Sequence, residues 1–218
     1  MTTSTENNKL LKIALILSII TIAYNIIEGV VSLYFGIADE TLALAGFGTD
    51  SFVEVISGIG ILHMIIRMKK NPVEQRDDFE RRALKITGTA FYLLTAGLIA
   101  GGILNIYTQS KPETTLVGII ISLVSIFTMW FLYKAKLHTG EQLNSDAIIS
   151  DAKCTKACFN LSFVLLASSL IYEFSGIGYI DVAGSLGIAY FAFKEGRESF
   201  EKSNSKTLSC SCDHCCDE

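Results

Sequence analysis

Charge is scarce in this chain. Only 18% of its 218 residues are Asp, Glu, Lys or Arg, against about 25% in a soluble globular protein. Proline is scarcer still, with 2 residues. Proline breaks helices and marks turns, so its near absence argues for long uninterrupted helices and against a loop-rich fold. One Trp stands beside 13 Phe and 8 Tyr, a modest aromatic supply. No G-x-x-x-x-G-K phosphate loop occurs, so no nucleotide site of that kind is expected. What remains is apolar: 50% hydrophobic residues and a mean hydropathy of +0.43. The net charge of −4 is uninformative, because in a lipid-embedded chain the placement of charge matters more than its sum.

Six apolar stretches follow one another, at 10–35, 41–66, 84–107, 115–134, 143–174 and 178–195. Most reach the ~20 residues needed to cross about 30 Å of hydrocarbon; the sixth is short and the fifth begins with polar residues. The expectation is an all-α integral membrane protein of six transmembrane helices. A segment 1–9 precedes the six-helix transmembrane domain 10–200, and a Cys-rich tail 201–218 follows it. Residues 67–83 (RMKKNPVEQRDDFERRA) and 134–142 (KAKLHTGEQ) read as charged loops, while the other connections are short and nearly free of basic residues. With both termini cytoplasmic, every Lys and Arg except Lys111 lies on or toward the cytoplasmic side, as the positive-inside rule requires. The first stretch is long, contains Glu28 and is followed by no small-residue cleavage site, so it reads as a retained span and not a signal peptide. A multi-pass cell-membrane protein is expected, with the bilayer as a partner and no role for nucleic acid.

The second stretch contains T-D-S-F-V-E-V at 49–55. Asp50 and Glu54 stand four residues apart and share one helix face. Carboxylates at membrane depth face the bundle interior, pair, or mark an ion pathway. No Lys or Arg is near them in the helix, so either a proton or a cation must relieve their repulsion. The alternative is a hydrogen-bonded structural pair. The fifth stretch opens S-D-A-K-C-T-K-A-C-F and sets Cys154 and Cys158 at the same spacing. Two carboxylates and two thiolates on two helices make four donors for one ion. That set suits zinc or another d¹⁰ cation and suits magnesium, calcium and potassium poorly. The plainer reading of the two cysteines is that they pack as small hydrophobes.

Three segments carry a family resemblance: TLALAGFGTDSFVEVISG, LNSDAIISDAKCTKAC and YIDVAGSLGIAYFAFKEG. They resemble the S-x-A-L-x-A-D-x-x-x-D second span, the start of the fifth span and the D-P-L-A-G sixth span of the cation diffusion facilitators, six-span proton-coupled exporters of divalent transition metals. The resemblance covers about residues 10–200. It implies that Asp50 and Glu54 take the family's second-span ligand positions. Cys154 and Cys158 take the histidine and aspartate positions of its fifth-span H-x-x-x-D pair. Sulfur at both positions shifts the expected preference toward softer ions: zinc or cadmium as transported substrate, with mercury or lead in range, and manganese, cobalt and magnesium disfavoured. Family members usually carry a cytoplasmic domain of roughly 80–90 residues after the sixth span. Only about 20 residues follow Arg197, too few for such a core, so a homodimer would have to form through the membrane part.

The tail reads C-S-C-D-H-C-C-D-E at 210–218. Cys210, Cys212, Cys215 and Cys216, with His214 among them, can wrap a soft ion without a preformed fold, and a short tether concentrates captured metal near the pore mouth. Such cysteines could also be incidental. Glu28, Asp151 and Asp181 are candidates for a relay or an entrance. Glu28 could equally pack against a polar group on a neighbouring helix, and Asp181 could cap a helix. Lys153 and Lys156 flank Cys154 and would repel a metal ion; they either snorkel to the interface or lower a thiol pKa. His63 reads as an interface or entrance residue. The mechanism expected is antiport, in which the metal displaces protons from Asp50, Glu54, Cys154 and Cys158, with no covalent step and no cofactor. Two rivals stay open: a metal-conducting channel, and a membrane-anchored metal sensor or metal-binding protein.

Overall fold

A computed structural model describes residues 2–39, 41–70, 78–108 and 115–205. The described residues form six helices: α1 Thr2–Ala38, α2 Leu42–Lys70, α3 Asp78–Thr108, α4 Leu116–Gln142, α5 Asp146–Ser175 and α6 Tyr179–Asn204. No strand occurs among them. Five, α1 to α5, are long and apolar enough to cross a membrane. α6 is apolar only to Phe193 and charged beyond it; it packs closely on α3 and also on α5 and α2. Odd and even helices run in opposite directions, so the first turns of α1 and the last turns of α6 share one end of the bundle.

The segment KAKLHTGEQ is not a loop. α4 runs through it to Gln142, because Lys, Ala, Leu, Glu and Gln are good helix formers and no proline interrupts them. The chain then reverses within three residues. Asn144 takes φ 46, a left-handed conformation that Asn tolerates better than most residues. The charged segment 67–83 is likewise helical at both ends, since α2 continues to Lys70 and α3 starts at Asp78. α5 stops where Gly176 takes φ 64 and its N–H donates to the Tyr172 carbonyl, the left-handed glycine stop that terminates many helices.

The bundle is inside out relative to a water-soluble protein. Phe174 is 89% exposed, Phe127 73% and Leu93 70%, while Asn25, Glu28, Asp50, Asp151 and Asp181 are buried. An apolar mantle around a polar interior is stable in hydrocarbon and not in water. Serines and threonines tie the helices from within: Ser162 donates to Ser125 at 2.9 Å between α5 and α4, and Thr115 donates to the Ser169 carbonyl at 2.9 Å. Small residues let the backbones meet. A Cβ built on Gly48 of α2 would lie 2.6 Å from the Leu33 nitrogen of α1, which is the close approach small residues allow between helices in lipid.

The two ends of the bundle differ. At the end away from the termini, Leu44 and Phe47 of α2, Leu161 and Leu165 of α5 and Ile188 of α6 form a sealed apolar cluster. Toward the end that carries the termini, the interior opens into a cavity.

Candidate functional site

The cavity has a volume of about 70 Å³, room for roughly two waters at ~30 Å³ each. Glu54 of α2 and Cys158 of α5 line it, as do Met64 of α2 and Ser199 and Lys202 of α6 nearer the end of the bundle that carries the termini. Every helix contributes to its wall, and the wall is polar on several sides.

The Cys158 thiol is in hydrogen-bond contact with Glu54 Oε1. The other carboxylate oxygen of Glu54 accepts from Asn25 Nδ2 at 2.9 Å. α2 and α5 therefore meet through one carboxylate and one thiol, and α1 orients that carboxylate. Cys154 lies one turn nearer the end that carries the termini and also lines the cavity, but its sulfur faces Lys202 Nζ at 3.7 Å. Asp50 is one turn deeper than Glu54 and is buried outside the cavity lining. Its Oδ1 finds no hydrogen-bond partner among the described residues, an expensive state for a buried polar atom. Of the four expected ligands, two touch, a third shares their cavity and the fourth is stacked behind them. Among the described residues, no group of three or more His, Cys, Asp or Glu side chains converges closely enough to hold an ion.

The other sequence candidates have distinct places. Glu28 is buried and accepts from Tyr24 Oη at 2.9 Å and from Ser51 Oγ of α2 at 3.1 Å, so it packs against a polar group on a neighbouring helix. Asp151 lines the cavity and pairs with Lys136 Nζ at 3.0 Å. Asp181 caps a helix, but not its own: its two oxygens accept the Leu42 and Ala43 N–H groups of α2 at 2.8 and 3.2 Å. His63 lies against the Phe79 ring with centroids 4.5 Å apart and does not line the cavity. Lys156 is exposed and Lys153 half-buried, and neither lines the cavity. Cys210, Cys212, His214, Cys215 and Cys216 lie outside the described residues.

The cavity's cations come from helices where the sequence reading did not look. Lys136 of α4 is buried between Asp151 and Thr155 Oγ1, each 3.0 Å away. Lys202 of α6 sits between Glu198 Oε1 at 2.8 Å and Cys154. Lys136 had been assigned to a loop and Lys202 to the tail. The signal that could have located them is helical spacing: Glu195, Ser199 and Lys202 recur at intervals of four and three residues, one face of an extended α6. Asn25, the partner of Glu54, stands three residues before Glu28 on α1, and no motif in the sequence ties it to α2.

The model of one protein family, the cation efflux transmembrane domain, matches residues 15–206. The match spans all six helices. No curated protein matches the chain.

Proposed function

This chain belongs to the cation efflux family, and from that premise we propose that it exports soft divalent metal ions, zinc or cadmium first, in exchange for protons. Family membership makes it a multi-pass membrane transporter of metal cations. The finer reading rests on one observation: a carboxylate from α2 and a thiol from α5 meet in the wall of a cavity inside the bundle. The transport site in this reading is Asp50, Glu54, Cys154 and Cys158. Small rotations of side chains one turn apart on two facing helices would gather all four around one ion.

Coupling to protons follows from the donors. Thiolates and carboxylates bind metal only when deprotonated, so binding expels protons and protonation expels metal. Four anionic ligands around a divalent ion would carry a net charge of −2, and one ligand is expected to keep its proton. Two thiols favour zinc, cadmium or a softer ion over magnesium, manganese and cobalt.

The termini are assigned to the cytoplasm because all basic residues but Lys111 then lie on that side. In this orientation the cavity lies toward the cytoplasmic half of the bundle, and the apolar cluster around Phe47 and Leu165 lies toward the far side. Alternating access would require that cluster to part while the cavity mouth closes. The soft tail, with Cys210, Cys212, His214, Cys215 and Cys216, is proposed to hold metal near the mouth. Glu54 and Cys158 also weigh against the anchored-sensor reading, since an anchor needs no paired polar donors at this depth.

The test is metal flux into proteoliposomes, with zinc and cadmium offered separately, a pH dye inside, and Cys154→Ser/Cys158→Ser as the comparison. Saturable uptake with opposite proton movement, lost in the double variant, supports the antiporter. Flux that is not saturable and moves no protons favours a channel. Flux that survives the double variant returns both cysteines to packing roles.

A further inference from the structure

We propose that Lys202 is a built-in competitor for the transported metal: its ammonium group holds the cavity face of Cys154, and a divalent ion reaches that sulfur only by displacing it. The inference rests on the reading of Cys154 as a transport ligand.

Lys202 lies in the last turn of α6, where a long cationic side chain could reach solvent easily. Arg197 shows the alternative, with 68% of its side chain exposed while it pairs with Glu201 along the helix surface. Lys202 turns inward instead. Its side chain is 8% exposed, and its Nζ lies 2.8 Å from Glu198 Oε1 and 3.7 Å from Cys154 Sγ. Withdrawing an ammonium from water is costly, and the Glu198 carboxylate that pairs with it, together with Glu195 in the cavity wall, offsets that cost. A lysine ammonium is a compact point charge on a flexible stem, able to sit at a cation position and to leave it.

Cys154 is the cavity thiol that does not join Glu54 and Cys158, and Lys202 is the group beside it. One sulfur cannot present the same face to an ammonium and to a metal ion. The ligand set is therefore complete only in the fraction of molecules in which Lys202 has swung away. Apparent affinity falls by that fraction. A displaceable cation inside the cavity would keep the exporter quiet at low metal and engage it as metal rises.

The experiment compares wild type, Lys202→Met, Lys202→Arg, Cys154→Ser and Lys202→Met/Cys154→Ser in proteoliposomes. KM for zinc and cadmium flux is measured, and calorimetric Kd is taken on the purified proteins. If Lys202 holds the sulfur about nine-tenths of the time, Lys202→Met lowers KM and Kd roughly tenfold, Lys202→Arg stays near wild type, and the gain disappears in the double variant. A purely structural lysine would lower kcat and thermal stability without lowering KM. An unchanged KM in Lys202→Met, while Cys154→Ser alone raises KM, overturns the competitor and leaves the ligand assignment standing. A gain that persists in the double variant also overturns it, since the lysine would then act only through the general field of the cavity. If Cys154→Ser leaves KM untouched, Cys154 is no ligand and both readings fall. Should Lys202→Met fail to fold, Lys202→Gln carries the same comparison.

Discussion

Asp181 supplies the sharpest test of how the bundle is held together, because its carboxylate caps a helix that is not its own. It lies in the first turn of α6 and is 1% exposed. Its oxygens accept the N–H groups of Leu42 and Ala43 at 2.8 and 3.2 Å, two of the donors that α2 cannot satisfy internally. Hydrogen bonds to a charged acceptor contribute about 1.5–3 kcal/mol each, so the pair amounts to roughly 3–6 kcal/mol. Interaction with the positive end of the α2 dipole adds about 0.3–1 kcal/mol. Against this stands the desolvation of a buried carboxylate, several kcal/mol on its own, which Ala would not incur. The net loss expected for Asp181→Ala is about 2–4 kcal/mol. Asp181→Asn keeps the shape and one acceptor oxygen but turns an NH₂ toward a donor, and should lose about 2 kcal/mol. Equilibrium unfolding in mixed micelles of mild detergent and SDS, followed by far-UV circular dichroism, reads both. A change below about 0.5 kcal/mol for either variant would refute the cap as a stabilising contact. Full stability in Asp181→Asn together with lost proton movement would restore the relay role that the sequence left open.

The buried Lys136–Asp151 pair should behave as such pairs do when halved. Lys136→Met strands a carboxylate that is 7% exposed and should destabilise by about 3–5 kcal/mol, much of it recovered in Lys136→Met/Asp151→Asn; the same unfolding assay, run as a double-mutant cycle, measures the coupling. Gly48→Ala puts a methyl group 2.6 Å from the Leu33 nitrogen and 2.9 Å from Ser32 Cβ, and since backbone cannot step aside it should lose about 1–3 kcal/mol. Gly97→Ala is its control: nothing lies within 4 Å of the new Cβ, and the better helix former should gain up to about 1 kcal/mol. Cys154→His/Cys158→Asp should lower the cadmium-to-zinc ratio of kcat/KM, by about tenfold if replacing two soft donors costs cadmium ~1.4 kcal/mol relative to zinc. An unchanged ratio in a variant that still transports would remove the two sulfurs from the selectivity argument.

Much of this architecture could be read from hydropathy alone, because lipid leaves a chain few options. Helices must satisfy their own backbone, so long apolar stretches with two prolines among 218 residues imply a helical bundle before any side chain is considered. Periodicity also put Asp50 with Glu54 on one helix face and Cys154 with Cys158 on another. It could not supply the third dimension. Nothing in the spacing said that Asn25 would orient Glu54, that Asp181 would cap α2, or that Cys154 would face a lysine 48 positions away. Those contacts depend on which helices neighbour one another and at what rotation, and one sequence leaves both open.

α6 shows why the boundary between span and loop was hardest to place where it matters most. A hydropathy average counts each charge equally, whichever way it faces. In α6 the polar residues Glu195, Ser199 and Lys202 line the cavity, while Leu186, Tyr190 and Phe193 on the same helix are exposed on the outer surface. The helix falls short as an apolar span because charge gathers on more than one of its faces beyond Phe193: Glu195 and Lys202 line the cavity, while Lys194 and Arg197 are exposed. The same holds for KAKLHTGEQ, where Lys136 made a helical turn look like a loop by facing inward to Asp151. Part of what lowers the apolar signal in α4 and α6 is thus the polar lining of the cavity. A span that hydropathy places poorly, yet packs against its neighbours along its length, is therefore where pathway residues should be sought.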